Sequence, residues 1–214
     1  GLCNDHARVT PLAQQALDHL PPEDSTGRMM AYTQLGIGLR LCGKLSEAET
    51  ALEQALTLAG PQDDNQVTIF ARCHSAALRA WRGQLQRAAQ EFQRIIQSAQ
   101  ARKIASSMIC LAYQALSRIH CEQNRLDAAL ETPRQGLALA EQWGHGEFIL
   151  SGYIDLAEVL LAQGDVQGTL DAMARARQLS GDVVWPSWLE ALETKMQWSA
   201  GNLTAVSAWA RDFE

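Results

Sequence analysis

Arg118, Glu158 and Lys195 follow one another at intervals of 40 and 37 residues. A guanidinium grips a carboxylate or phosphate through paired hydrogen bonds. A carboxylate and an ammonium beside it can fix the other end of a polar ligand. Phe70, Trp188 and Trp198 add rings that stack on sugar faces or cap apolar groups. This is the chemistry of recognition. The residue types of catalysis are present, but not in catalytic patterns. His6, His19, His74, His120 and His145 are scattered, with no i, i+4 pair and no H-E-x-x-H. Cys73-His74 and His120-Cys121 look like ligand pairs, yet neighbours in sequence point to different helix faces. No P-loop, G-x-G-x-x-G or G-x-S-x-G occurs, and Gly36-Ile37-Gly38 is the nearest stub. Carboxylate pairs such as Glu47/Glu49 and Asp63/Asp64 read as solvated surface. The sequence therefore predicts neither an enzyme nor a metal site, and no cofactor in this segment.

Residues so far apart need elements that bring them together, and composition bounds what those elements are. With 214 residues, 47% of them hydrophobic, the chain can bury a core. Its net charge of −6 argues against a whole-surface nucleic-acid binder. The five cysteines are odd in number and include no C-x-x-C, which predicts reduced thiols in a cytosolic protein rather than a disulfide scaffold. No apolar run is long enough to span a bilayer, and the opening residues do not form a signal peptide. The chain lacks an initiator Met, and a lone first helix and a last helix stopping near Glu214 read as cut ends. The expectation is one repeat domain over 1–214, a piece of a longer, cytoplasmic regulator.

One turn recurs. It reads Cys42-Gly43-Lys44-Leu45, Arg82-Gly83-Gln84-Leu85, Gln123-Asn124-Arg125-Leu126, Gln163-Gly164-Asp165-Val166 and Ala200-Gly201-Asn202-Leu203. Its Gly or Asn positions are 40, 41, 40 and 37 residues apart. Gly and Asn tolerate the left-handed backbone that ends a helix, and the Leu or Val two residues on packs into the corner. Ser46, Asp127 and Thr204 are expected to be N-caps. Apolar residues on both sides keep helical spacing, as in Leu45, Ala48, Leu52, Ala55 and Leu56. Ala48, Ala88 and Ala129 mark where the second helix must approach the first. Thr169 and Val206 take that place later, where the pattern loosens.

The map that follows is a lone helix at about 7–20 and five hairpins. These run over about 27–42 with 46–59, 66–82 with 86–101, 104–122 with 127–142, 147–163 with 167–179 and 187–200 with 204–213. A single hairpin cannot bury its apolar face, so the units stack into an all-α solenoid, a right-handed superhelix with a concave inner wall. Pro133 breaks the local rule. It predicts a bend or a split helix near Ala129–Thr132.

The stretch Leu35-Gly36-Ile37-Gly38-Leu39-Arg40-Leu41-Cys42-Gly43-Lys44-Leu45-Ser46-Glu47-Ala48 and on to Ala55-Leu56 resembles a tetratricopeptide repeat. Leu35-Gly36, Gly43, Leu45, Ala48 and Ala55 hold that pattern's small and apolar positions. The unit is longer than the usual ~34 residues. Such units resemble the sensor region of large bacterial ATP-dependent transcription activators of the LuxR family, of the MalT type. Ala16-Leu17-Asp18-His19-Leu20-Pro21-Pro22 carries that narrower likeness. So does Trp185-Pro186-Ser187-Trp188, through Trp198-Ser199-Ala200-Gly201-Asn202, to Ala208-Trp209. The resemblance implies a sensor that binds a small-molecule inducer or a regulatory protein or peptide and promotes self-association. It implies that ATP and DNA are bound only by domains outside this segment. The alternative is a stand-alone scaffold taking a peptide or protein in its concave groove.

In such arrays the first helix of each hairpin, helix A, lines the inner wall. Alignment on the turn residue gives four inner rows. They are Ile37, Ala77, Arg118, Glu158, Lys195; then Arg40, Ala80, Cys121, Leu161, Trp198; then Met30, Phe70, Leu111, Ser151, Trp188; and Thr33, Cys73, Gln114, Ile154, Ala191. The groove candidates are Arg40, Phe70, Gln114, Arg118, Glu158, Trp188, Lys195 and Trp198. Tyr113 and Tyr153 are expected to pack between helices, and Arg118 and Glu158 could pair with each other. From Val67 to Lys103 seven basic residues accompany one acid, Glu91. Arg82, Arg87 and Arg94 in that run read as solvated outer face.

Overall fold

The computed structural model describes residues 2–60, 65–104, 106–180, 187–199 and 201–211, with the side chains of 2–7, 180 and 187–189 outside that description. All the regular structure among the described residues is helical. The helices are α1 (Leu2–His19), α2 (Ser25–Leu41), α3 (Leu45–Thr57), α4 (Gln66–Trp81), α5 (Leu85–Ala101), α6 (Ile109–Glu122), α7 (Leu126–Trp143), α8 (Gly146–Gln163), α9 (Val166–Ser180), α10 (Ser187–Ser199) and α11 (Leu203–Arg211). No helix among the described residues is long and apolar enough to cross a membrane.

The hairpin turn is built as its residues require. Gly43, Gly83, Gly164 and Gly201 have φ of 76°, 76°, 80° and 76°, and Asn124 adopts 54°. In each turn the backbone then re-enters a helix at the Leu or Val. That residue is the first of α3, α5, α7, α9 and α11, so Ser46, Asp127 and Thr204 are not caps. They lie one residue inside their helices. The caps of α3 and α7 are Lys44 and Arg125, which make no side-chain capping bond. Capping by a side chain occurs earlier in the motif than expected. Asp165 accepts from the Gly168 N–H at 2.9 Å and Asn202 from the Ala205 N–H at 3.3 Å.

The chain divides into two compact units, residues 1–112 and 113–214. In the first, α2 packs on α3, α4 on α5, and α4 on both α2 and α3. Leu39, Ala48, Ala51, Leu52 and Leu78 form one core cluster there. The close approach is real: Ala48 and Ala88 are fully buried, and a Cβ on Gly36 would sit 2.6 Å from Leu52 Cγ. The lone helix α1 lies on α2, and Arg28 closes its C-terminus by donating to the Leu17 and Leu20 carbonyls, each at 3.1 Å.

In the second unit α7 packs on α8, α8 on α9, α9 on α10 and α10 on α11. Ala157, Leu160, Ala172, Met173 and Met196 form its largest described cluster. Ala129 is fully buried, and Thr169, at the loosened position, is buried as tightly and turns its hydroxyl to the Asp165 carbonyl at 2.7 Å. Helix α6 begins at Ile109, not near 104, because Lys103 already takes a left-handed φ of 52° after α5. Helix α7 runs unbroken from Leu126 to Trp143, so of the bend or split expected at Pro133 the split does not occur. Pro133 offers no N–H to the carbonyl four residues back. That carbonyl, of Ala129, instead accepts from the buried Ser117 hydroxyl at 2.9 Å, which removes the reason for a break.

Candidate functional site

A groove of about 550 Å³ lies within the second unit. Its lining comes from three A helices only. Helix α6 supplies Arg118, Cys121 and Glu122, helix α8 supplies Asp155, Glu158 and an apolar strip around Ile154 and Val159, and helix α10 supplies Leu192 and Lys195. The structure thus brings Arg118, Glu158 and Lys195 to one groove, at successive A helices. The size falls within the range of small-molecule sites, and apolar walls with a few convergent charges are their usual composition.

The charge arrangement differs from the sequence reading in one respect. Arg118 does not hydrogen-bond Glu158. Its Nε and Nη2 donate to Oδ1 of Asp155 at 3.1 and 3.0 Å. Asp155 is 1% exposed, whereas the Arg118 side chain is 66% exposed. The pair therefore joins a sunken carboxylate to a guanidinium that faces the groove. Burial pushes the Asp155 carboxyl up to about 6, although Arg118 pulls the other way; the Glu158 charge adds to the rise. Its second oxygen, Oδ2, is buried with no hydrogen-bond partner among the described residues. Cys121 on the same wall is held above the usual thiol range by burial and then by Glu158, Glu122 and Asp155. It stays a protonated thiol, a poor nucleophile. No group of three or more His, Cys, Asp and Glu side chains that could hold a metal ion occurs among the described residues.

The other candidates fall elsewhere. Gln114 donates to Ser151 Oγ at 2.5 Å, a bond between α6 and α8. Trp198 is 68% exposed and is not part of the groove lining. The Trp188 side chain lies outside the described residues. Arg40 and Phe70 belong to the first unit: the Arg40 guanidinium lies over the Trp81 ring, 4.9 Å from its centroid, and Phe70 meets His74 edge-to-face at 4.5 Å. Tyr113 is buried, and Tyr153 is half-buried with its hydroxyl on Glu141 at 3.2 Å. In the basic run, Arg82 is paired with Glu49, and Arg94 with Glu91 at 2.7 Å. Among the described residues, Cys42, Cys73, Cys110 and Cys121 are not joined in disulfides.

Sequence reasoning missed Asp155. The signal was there: it is a lone acid among Tyr153, Ile154, Leu156 and Ala157. A buried acid needs a donor, and Arg118, 37 residues earlier, is the cation one turn out of step with Glu158 on the neighbouring A helix.

Residues 2–214 match the family described as the MalT-like TPR region. The chain belongs to that family. No curated protein matches the sequence. Among solved structures, this MalT-like array is similar to BtubC (BKLC) from P. vanneervenii, with 16% identity over 96% of this chain and 85% of that one, at a TM-score of 0.72. It is similar to the apo form of RapI, with 13% identity over 95% of this chain and 75% of that one, at a TM-score of 0.66. The apo form of PlcR from Bacillus thuringiensis shares 13% identity over 90% of this chain and 72% of that one, at a TM-score of 0.70. At these identities the likeness is one of fold, and the fold is the tetratricopeptide-like helical repeat.

Proposed function

We propose that this MalT-like repeat region is the sensor of a LuxR-family transcription regulator in the bacterial cytoplasm, and that ligand uptake by its A-helix groove drives self-association of the regulator. The observation that carries the reading is the groove itself. Arg118 and Lys195 face it as cations, Glu158 and Glu122 as anions, and Ile154, Val159 and Leu192 as an apolar wall. Such a surface suits a ligand bearing both an anionic and a donor group, either a polar small molecule or a short peptide. The buried Asp155 carboxylate holds the Arg118 guanidinium in place at the groove. Two fold relatives, RapI and PlcR, are described as apo forms, that is, as proteins with a ligand to take up. Among the remaining candidates, Gln114 is proposed to brace the α6–α8 wall and Trp188 and Trp198 to cap a longer ligand, while any binding role of Arg40 and Phe70 is proposed within the first unit alone. No step of this reading requires catalysis.

A thermal-shift screen of sugars, amino acids and short peptides tests it, followed by calorimetry on each hit. Binding is expected to weaken by about tenfold or more in Glu158→Ala and in Lys195→Ala, each of which removes a charge-assisted bond, while the melting temperature without ligand changes little. Hits that bind both variants as tightly as the wild type would overturn the groove assignment. Failure of every hit to alter the oligomeric state in light scattering would overturn the self-association step.

A further inference from the structure

Three positions on the first helix of a hairpin carry core packing in three of the five repeats. Counted back from the turn residue by eleven, eight and four, they hold Tyr32, Leu35 and Leu39 in α2, Tyr113, Leu116 and His120 in α6, and Tyr153, Leu156 and Leu160 in α8. Leu39, Tyr113, Leu116, His120 and Leu160 are buried, and Tyr32, Leu35, Tyr153 and Leu156 pack against core clusters. In α10 the positions are Glu190, Glu193 and Gln197, and in α4 they are Arg72, Ser75 and Arg79. The second helix of the α4 hairpin changes too. Eight residues after the turn stand Ala51, Thr132 and Ala172, all buried, where α5 has Glu91. With the apolar side chains gone from both helices, a groove of about 350 Å³ opens in the first unit. Leu56 and Ala59 of α3, Arg72, Ser75 and Arg79 of α4, and Glu91 of α5 line it. All six are partly exposed, so a solute reaches them.

Arg72, Ser75 and Arg79 follow one another at single-turn steps, on one face of α4. Arg79 donates to Ser75 Oγ at 3.2 Å, so the donors gather around that hydroxyl. No carboxylate pairs with Arg79 among the described residues. Glu91, the one acid of the lining, is held by Arg94 at 2.7 Å, so positive charge prevails in the groove. We propose that this groove binds a phosphate monoester carried on a small hydroxylated skeleton. A guanidinium grips phosphate or carboxylate alike, but the phosphate monoester brings about −1.5 to −2 of charge and three acceptor oxygens. Those serve two arginines and the Ser75 hydroxyl together, whereas a carboxylate offers two oxygens and one charge. Leu56 and Ala59 cover the carbon skeleton, and the second Glu91 oxygen accepts from a ligand hydroxyl. The volume is at the small end of small-molecule sites. The site lies wholly in the first unit, so it stands or falls separately from the groove around Arg118.

Glycerol 3-phosphate, inorganic phosphate and succinate are the probes, titrated into the full chain by calorimetry at constant ionic strength. Glycerol 3-phosphate is expected to bind saturably, and more tightly than either of the others. Arg79→Leu installs the residue that α2 and α8 carry at this position. It should weaken glycerol 3-phosphate binding by about tenfold or more without lowering the melting temperature of the unliganded chain. Should that variant melt lower or fail to fold, Ser75→Ala decides: it removes one hydroxyl and must still weaken binding. Absence of saturable binding, or an affinity unchanged in Arg79→Leu or in Ser75→Ala, would overturn the site. Succinate binding as tightly as glycerol 3-phosphate would overturn the phosphate preference. Inorganic phosphate binding as tightly would overturn the part given to the hydroxylated skeleton.

Discussion

The Ser117 hydroxyl donates to the backbone carbonyl of Ala129 at 2.9 Å, and Ala129 is the residue four before Pro133. A helix interior normally closes that carbonyl with its own i+4 N–H. Proline has none, so a side chain on the preceding helix takes the role. Both Ser117 and Ala129 are buried, at 1% and 0% exposure, so water does not offer a substitute. Thr132 strengthens the same region by donating to the Ala128 carbonyl at 2.6 Å.

Ser117→Ala should therefore cost about 1–3 kcal/mol in urea unfolding, the penalty of a buried acceptor left alone. In a Pro133→Ala background, the restored N–H serves Ala129 and the same substitution should cost much less. A double-mutant cycle measures the difference. Additive costs would mean that the serine and the proline are not linked in this way.

Asp155 gives a pH dependence with a definite sign. Its native value of about 6 stands above the ~3.9 of an unfolded aspartate. The folded chain holds the proton more tightly, so ionisation works against the fold. The cost is absent below pH ~4, grows between ~4 and ~6, and is complete above. Arg118 and Glu158 are the charged groups facing it. Asp155→Asn should gain stability relative to wild type by about 3 kcal/mol between pH 4 and 7. Urea melts at several pH values check this, and a difference that stays flat would show that Asp155 titrates normally.

His74 runs the other way. Its native value near 4 lies below the ~6.5 of an unfolded histidine. The unfolded chain takes the proton first, so stability is lost as pH falls from ~6.5 to ~4, by about 3 kcal/mol in total. His74→Phe should flatten that acid limb. In the wild type the two groups oppose each other over nearly the same window, so each variant has to be compared with the wild type, not judged from a single curve.

Gly36→Ala should destabilise the first unit by about 1–3 kcal/mol, the usual cost of overpacking. The added carbon would meet Leu52 Cγ at 2.6 Å and the Ala48 carbonyl oxygen at 3.3 Å. Leu52→Ala opens a cavity on its own, but in that background the glycine substitution should be nearly neutral. A calorimetric melt of all four chains tests the coupling.

Much of the fold was legible because its signals are local and repeated. The left-handed turn at Gly43, Gly83, Asn124, Gly164 and Gly201 needs only the backbone freedom of two residue types, and the buried alanines need only helical spacing. What failed was what depends on a neighbour. The fate of Pro133 is decided by Ser117 on another helix, and the caps shifted because the Leu of each turn enters the helix sooner than Ser46 or Asp127 implied. The groove shows the same division. The row Arg118, Glu158, Lys195 follows from the repeat interval alone. The partner of Arg118 does not, because Asp155 sits one helical turn off that interval and its burial is set by α8 packing.

Because the groove draws every wall residue from α6, α8 and α10, helices α7, α9 and α11 would serve the proposed sensor as scaffold without being reader. Changes of ligand can then be written into one turn of an A helix at a time, while the partner helices keep the spacing constant. An exchange of Asp155 and Glu158 alone between two such arrays would transplant the charged floor and leave in place the α8 residues Ala157 and Leu160 that carry the stacking.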